Sequence, residues 1–231
     1  MNLYFLVEGR STEKKVYPKF INHFIGSELK RVNQFEQVDK NNYFLISGNG
    51  YPRILSDVLK NSIQDINSIA KYDYLIICID TDDNNFEERQ QEVNKYLEKF
   101  KEENIELNDS CEIVLIVQNR CIETWFLGNE KIYKSNPQSA HLKRYQDHYN
   151  VKENDPELMP SSNEFDTHAN FHFAYLREML LERNIRYSKN HPRDVAEPHY
   201  LDELAKRCNE KGHLDSFKTF YDFCNLVKEK M

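Results

Sequence analysis

Glycine and proline are scarce, 6 and 7 in 231 residues, so collagen-like repeats and linker-rich disorder are excluded. No apolar run approaches the length of a membrane span. The first residues also lack the basic-then-apolar layout of a secretory leader. A cytoplasmic protein with no membrane attachment is therefore expected. The five cysteines, Cys78, Cys111, Cys121, Cys208 and Cys224, show no CxxC spacing. An odd count without a framework argues for reduced thiols and against a zinc finger or a disulfide scaffold. Internal repeats and low-complexity tracts are missing as well.

Aromatic residues are plentiful. With 14 Phe, 14 Tyr and 39% hydrophobic residues, the chain can fill a sizeable core, enough for one large domain or a domain with a substantial appendage. The net charge of −7 argues against a nucleic-acid partner only if it is evenly spread. It is not. Between Asp80 and Glu112 there are 12 acidic and 4 basic residues, a local −8, and the remainder is about neutral. Glu8 to Arg31 carries 6 basic against 3 acidic residues. A phosphate-bearing partner stays compatible with the overall sign.

The organising stretch is Met1 to Glu13. Asn2 to Val7, NLYFLV, reads as a buried strand. Glu8-Gly9 follows it, and Ser11 and Thr12 can cap a helix from about Thr12 to Arg31 with Val16, Phe20 and Phe24 on its apolar side. A carboxylate at the carboxyl end of a buried strand, beside a glycine that permits close approach, suits an active site in an open parallel sheet. The alternative is an ordinary strand-to-helix turn with a solvated glutamate.

A second strand is read at Tyr43 to Ser47. The Gly48-Asn49-Gly50 that follows is a turn signal with Pro52 at a helix start, and the helix runs to about Ala70. The glycines lack the spacing of a P-loop or a dinucleotide fingerprint, so a plain turn is favoured over a phosphate cradle. Tyr74 to Ile79, YLIICI, is a central strand ending in Asp80-Thr81-Asp82-Asp83. Alternation along an extended segment would put Asp80 and Asp82 on one side. Two such carboxylates repel unless a cation lies between them, which points to a hard divalent metal with oxygen ligands. A polar turn capping the next helix is the local alternative.

Phe86 to Glu103 is a charged helix with a narrow apolar stripe, and Cys111 to Val117 is a fourth strand. Strands alternating with helices give an α/β fold, a mainly parallel four-stranded sheet flanked by helices. Asn119 to Leu127 comes directly off that strand. Its Glu123 is either a further carboxylate at the metal or a helix-surface charge. The rest, 129 to 231, reads as a mostly helical C-terminal part, with helices near His141 to Tyr149, His168 to Arg183, Tyr200 to Asn209 and Asp215 to Lys230. His168 and His172 have a spacing that can bind zinc, but without a glutamate or cysteine partner a core or surface pair is favoured. Tyr187 to Pro192 is a loop carrying Lys189.

FLVEGRSTE, with Glu8 and Glu13, and LIICIDTDD, with Asp80 and Asp82, together resemble a Toprim domain. This is the metal-binding fold of type IA and II topoisomerases, bacterial primases and overcoming-lysogenization-defect (OLD) nucleases. Glu13 within EGRSTE looks most like the small OLD-type proteins, many of them from bacterial anti-phage systems. CIETWFL is similar to a run in RloB-like families. The resemblance covers about residues 1–128, which implies a Toprim-like catalytic domain there and a helical region packed on it over 129–231.

The resemblance implies that Glu8 is a metal ligand or general base, that Asp80 and Asp82 hold one or two Mg²⁺ or Mn²⁺ ions, and that Glu13 and Glu123 are candidates for a second. Lys189 would add positive charge to the transition state. It implies a metal-dependent nuclease cutting DNA or RNA, tRNA among the targets, as an effector of phage defence. The chain carries no ATPase of its own, so a separate ATPase partner is expected, and a homo-oligomer is compatible. Two alternatives stand beside it: a non-catalytic regulatory or sensor module that binds an ATPase or a phage protein, and a primase-like nucleotidyl transferase.

Overall fold

The structure is a computed structural model describing residues 1–231. It divides into two units interleaved along the chain. The first comprises 1–79, 86–117 and 222–231; the second comprises 80–85 and 118–221. The boundary expected at residue 128 falls inside the second unit.

The first unit is built on a parallel sheet. Its strands are β1 (Asn2–Val7), β2 (Lys30–Arg31), β3 (Asn42–Ser47), β4 (Tyr74–Asp80) and β5 (Glu112–Gln118), in the order β2-β3-β1-β4-β5. There are five strands where four were expected. The extra one, β2, is two exposed cationic residues at the sheet edge, paired Lys30 to Asn42 and Arg31 to Tyr43, and no apolar pattern announces it. β1 is buried along its whole length. That is what a parallel strand covered on both faces requires, and it explains an unbroken apolar run in place of alternation. β1 pairs with β3 from Asn2 and Asn42 to Val7 and Ser47, and with β4 from Leu3 and Tyr74 to Val7 and Cys78.

Successive β1 side chains serve opposite faces. Tyr4 and Leu6 join a cluster with Ile54, Leu59, Ile63, Ile66, Ile77, Val93 and Phe100, drawn from β4, from α2 (Leu59–Ile69), from the π-helical turn Ile54–Val58 before it, and from α3 (Phe86–Glu102). Phe5 instead meets Tyr17 of α1 (Thr12–Phe24) at 6.3 Å between ring centroids. α1 ends earlier than the expected Arg31 because Gly26 takes a left-handed φ of 124°, open to glycine and closed to most side chains. α2 likewise stops at Ala70, φ 52°.

The second unit is helical and rich in rings. α4 (Ile122–Phe126) carries Trp125, which meets Phe217 at 5.3 Å and Phe220 at 5.9 Å. The other helices are α5 (Ala140–His148), α6 (His168–Leu181), α7 (Pro198–Lys211) and α8 (Asp215–Lys230), whose last turns belong to the first unit. Tyr145 packs against Phe165, Phe171 and Tyr175. Arg207 is buried and donates to the carbonyls of Gly128, Val151 and Asn154 at 3.1, 2.7 and 2.7 Å. All five cysteines are free and buried, and no helix is long and apolar enough to cross a membrane.

Candidate functional site

In the first unit the strand order reverses at β1. From β1 the chain goes to the edge strand β2, steps back inward to β3, then crosses to β4 and β5 on the other side. In open α/β sheets ligands bind at the carboxyl ends of strands at such a reversal. β1 is followed by Glu8, whose N–H donates to the Cys78 carbonyl of β4 at 3.0 Å, and β4 itself closes with Asp80.

Around Glu8 the packing is tight. The Glu13 carboxylate lies against Gly9, so closely that a Cβ there would sit 1.9 Å from Oε2. Glu13 is correspondingly buried, while Glu8 is half-exposed. Glycine at position 9 is therefore a requirement of the Glu13 side chain. The Ser47 hydroxyl donates to the Gly9 carbonyl at 2.9 Å, and Arg10 reaches the Asn49 carbonyl through Nε and Nη2 at 3.2 and 3.0 Å.

Gly48 to Gly50 forms a turn whose N–H groups are used internally. Gly48 donates to Val7 O at 2.7 Å, Asn49 to Ser47 Oγ at 3.0 Å and Gly50 to Glu8 O at 2.9 Å. None points outward to cradle a phosphate, and the plain turn is the structure adopted. Its chemistry is to fix Glu8.

In the second unit, 80–85 is pinned to 118–120. Thr81 N–H donates to Gln118 O at 3.0 Å and Asp82 N–H to Arg120 O at 3.1 Å. Arg120 returns bonds from its N–H to Thr81 Oγ1 at 2.7 Å and from Nη1 to the carbonyls of Asp82 and Asn84 at 3.2 and 3.0 Å. Asp82 and Arg120 both sit in the left-handed region, φ 53° and 67°, a conformation that costs a non-glycine residue energy and needs support from its surroundings. β4 ends at Asp80 and Asp82 is left-handed, so strand periodicity alone does not relate their two side chains.

Glu123 is buried, and its Oε1 accepts a hydrogen bond from the Tyr187 hydroxyl at 2.9 Å; it is not a helix-surface charge. Burial pushes the Cys121 thiol far above its ordinary pKa, the nearby Glu123 and Asp80 carboxylates push the same way, and Lys189 opposes them. Cys121 is thus a neutral thiol at a point where three of the expected site residues exert their charge. Lys189 is exposed, with Nζ 5.8 Å from the Phe173 ring centre.

His168 and His172 do not form a metal pair. His172 is fully buried and shares a 2.8 Å hydrogen bond through Nδ1 with Thr124 Oγ1, and burial lowers its pKa to about 3, helped by His168 and Arg120. His168 Nδ1 instead lies 3.3 Å from the Asp83 carboxylate. In neither unit are three or more His, Cys, Asp or Glu side chains gathered closely enough to hold a metal ion.

No known family, characterised protein or solved structure matches this chain. Sequence reasoning missed Ser47, Arg120 and Tyr187, which position the carboxylates and their loops, and Thr124, which holds His172. Arg120 is separated from Asp82 by 38 residues and Tyr187 from Glu123 by 64, so no local pattern links them.

Proposed function

We propose that the chain is a Mg²⁺- or Mn²⁺-dependent phosphodiester hydrolase of Toprim type acting on DNA or RNA, tRNA included, as an effector of antiviral defence working with an ATPase partner. The observation that carries the reading is the carboxylate chemistry at the strand-order reversal: Glu8 follows β1, and β4 beside it ends in Asp80. The donor set suits a hard cation, because Glu8, Glu13, Asp80, Asp82 and Glu123 offer only oxygen. One or two such ions would neutralise the phosphate and stabilise the attacking and leaving oxygens.

The protein's own contributions follow from its side chains. Glu8, half-exposed, accepts a proton from the attacking water. Asp80 and Asp82, with Glu13 and Glu123, serve as ligands. Lys189, exposed and cationic, offsets charge that develops on the phosphate.

A second reading is a regulatory module that binds an ATPase or a phage protein without catalysis. The test is cleavage of plasmid, single-stranded DNA and bulk tRNA with Mg²⁺ or Mn²⁺, with an EDTA control. Cutting should fall by about two orders of magnitude or more in Glu8→Gln and Asp80→Asn, with melting curves unchanged. Undiminished cutting in both variants refutes the assignment of these residues. Failure to cut any substrate, even with the partner ATPase added, favours the regulatory module.

A further inference from the structure

Tyr51 stands just beyond the turn that fixes Glu8. It is 44% exposed, unusual for so large a ring, yet it is held at two points. Its hydroxyl donates to the Glu92 carboxylate. One face of the ring is covered by the Arg89 guanidinium, 4.4 Å from the ring centre. Arg89 is itself only 1% exposed and pairs with Glu92 at 2.6 Å. Behind Tyr51, Gly50 donates to the Glu8 carbonyl, and Arg10, exposed, is anchored on the Asn49 carbonyl. All of these residues belong to the first unit.

A rigid aromatic ring with a buried cation against one face has its orientational entropy largely removed before any ligand arrives. With one face covered, the exposed part of the ring is what a flat partner can meet. Unpaired nucleobases are such partners, and stacking on an aromatic side chain tolerates any base. A duplex hides its base faces, whereas single strands, loops and bulges present them. Arg10, on the neighbouring loop and held through Nε and Nη2 on the Asn49 carbonyl, offers the rest of its planar guanidinium, Nη1 included, to a phosphate.

We propose that Tyr51 is a stacking platform for one unpaired nucleobase, and that Arg10 takes an adjacent phosphate, so that the strand presented at Glu8 is single-stranded or locally unpaired. This rests on the nuclease reading and narrows its substrate class.

The experiment is fluorescence anisotropy with labelled single strands of about twelve nucleotides, one carrying bases throughout and one with abasic positions, in EDTA so that nothing is cut. Wild type should bind the base-bearing strand more tightly than the abasic one. Tyr51→Ala should weaken binding of the base-bearing strand about five- to a hundredfold and leave the abasic strand unchanged. Tyr51→Phe keeps the ring and should stay within about twofold of wild type. Arg10→Ala should weaken both strands alike and reduce the salt dependence by roughly one phosphate contact.

Equal binding of the base-bearing strand by wild type and Tyr51→Ala overturns the inference, as does wild type that ignores the bases or binds neither strand. Far-UV circular dichroism of each variant verifies folding. The nuclease reading is judged separately by Glu8→Gln in the cleavage assay, so either can fail while the other stands.

Discussion

The two units solve the same problem, holding carboxylates in place, by different means. In the sheet unit the interior is mainly aliphatic and aromatic, and beside the hydrogen bonds of the turn the positioning is steric: Glu13 lies where Gly9 leaves room, and Gly48 lies under Ile54, whose Cβ would be 2.4 Å from an added methyl. In the helical unit the positioning is polar. Arg207, Glu157, Glu123 and His172 are all buried there, and the loop carrying Asp82 is tied down by the hydrogen bonds of Arg120. Steric positioning tolerates a change of pH and fails on added volume. Polar positioning does the reverse.

The sharpest contrast should come from Arg207. Two of its three carbonyl acceptors, those of Gly128 and Val151, are buried, so Arg207→Met leaves them unsatisfied and should destabilise the helical unit by about 3 to 5 kcal/mol. The single tryptophan, Trp125, lies in that unit, and its fluorescence in a denaturant titration follows the effect. A loss below about 1 kcal/mol would show that water replaces the guanidinium, and the contrast would weaken.

Glu157 comes next. It is buried among bonds from Ser216 N–H and Oγ, and burial raises its pKa from 4.5 to about 7. The folded chain therefore keeps a proton that the unfolded chain releases near pH 4.5, so stability falls as pH rises from about 4.5 to about 7. The gap corresponds to about 3 kcal/mol. Glu157→Gln retains an acceptor for Ser216 and removes the ionisation. Wild type and variant should be close at pH 4.5, and the variant should be more stable by up to about 3 kcal/mol at pH 8. Parallel stability profiles would refute the polar account of this unit.

Gly48→Ala tests the steric side. The new methyl would also lie 2.9 Å from the Ile54 Cα, so backbone has to move, at a cost of about 1 to 3 kcal/mol. The loss should be nearly the same at pH 5 and pH 8, unlike the Glu157 effect. Shortening Ile54 to alanine in the same chain should not restore stability, because the obstructing Cβ and Cα remain.

How much of this is legible in the sequence follows the same division. NLYFLV and YLIICI announce β1 and β4 because a strand buried on both faces must be apolar throughout. Glu8, Gly9 and Glu13 lie within six residues, and their relation is visible as a spacing. Lys30 and Arg31 form an edge strand that hydrophobicity cannot reveal, since their partners are backbone groups of β3 and the loop before it. The alternation of β4 does not carry past its end, because the strand stops at Asp80 and Asp82 takes a left-handed φ of 53°. Glu123 looked ambiguous because Tyr187, the residue that fixes it, belongs to a distant loop.

Gly9→Ala is expected to have the smallest effect on stability and the most informative one on the site. The added methyl meets the end of the Glu13 side chain, with both oxygens and Cδ within 2.2 Å. A flexible carboxylate can swing aside without moving backbone, so the fold should lose less than about 1 kcal/mol. The carboxylate itself, however, is then displaced from its place against Gly9. If Glu13 acts at the metal, cleavage should drop on the order of a hundredfold, the usual penalty for a misplacement of about 1 Å. The double variant Gly9→Ala, Glu13→Ala removes the clash and should regain stability without regaining cleavage. Full cleavage by Gly9→Ala would leave Glu13 a packing residue and reduce the acting carboxylates of the sheet unit to Glu8.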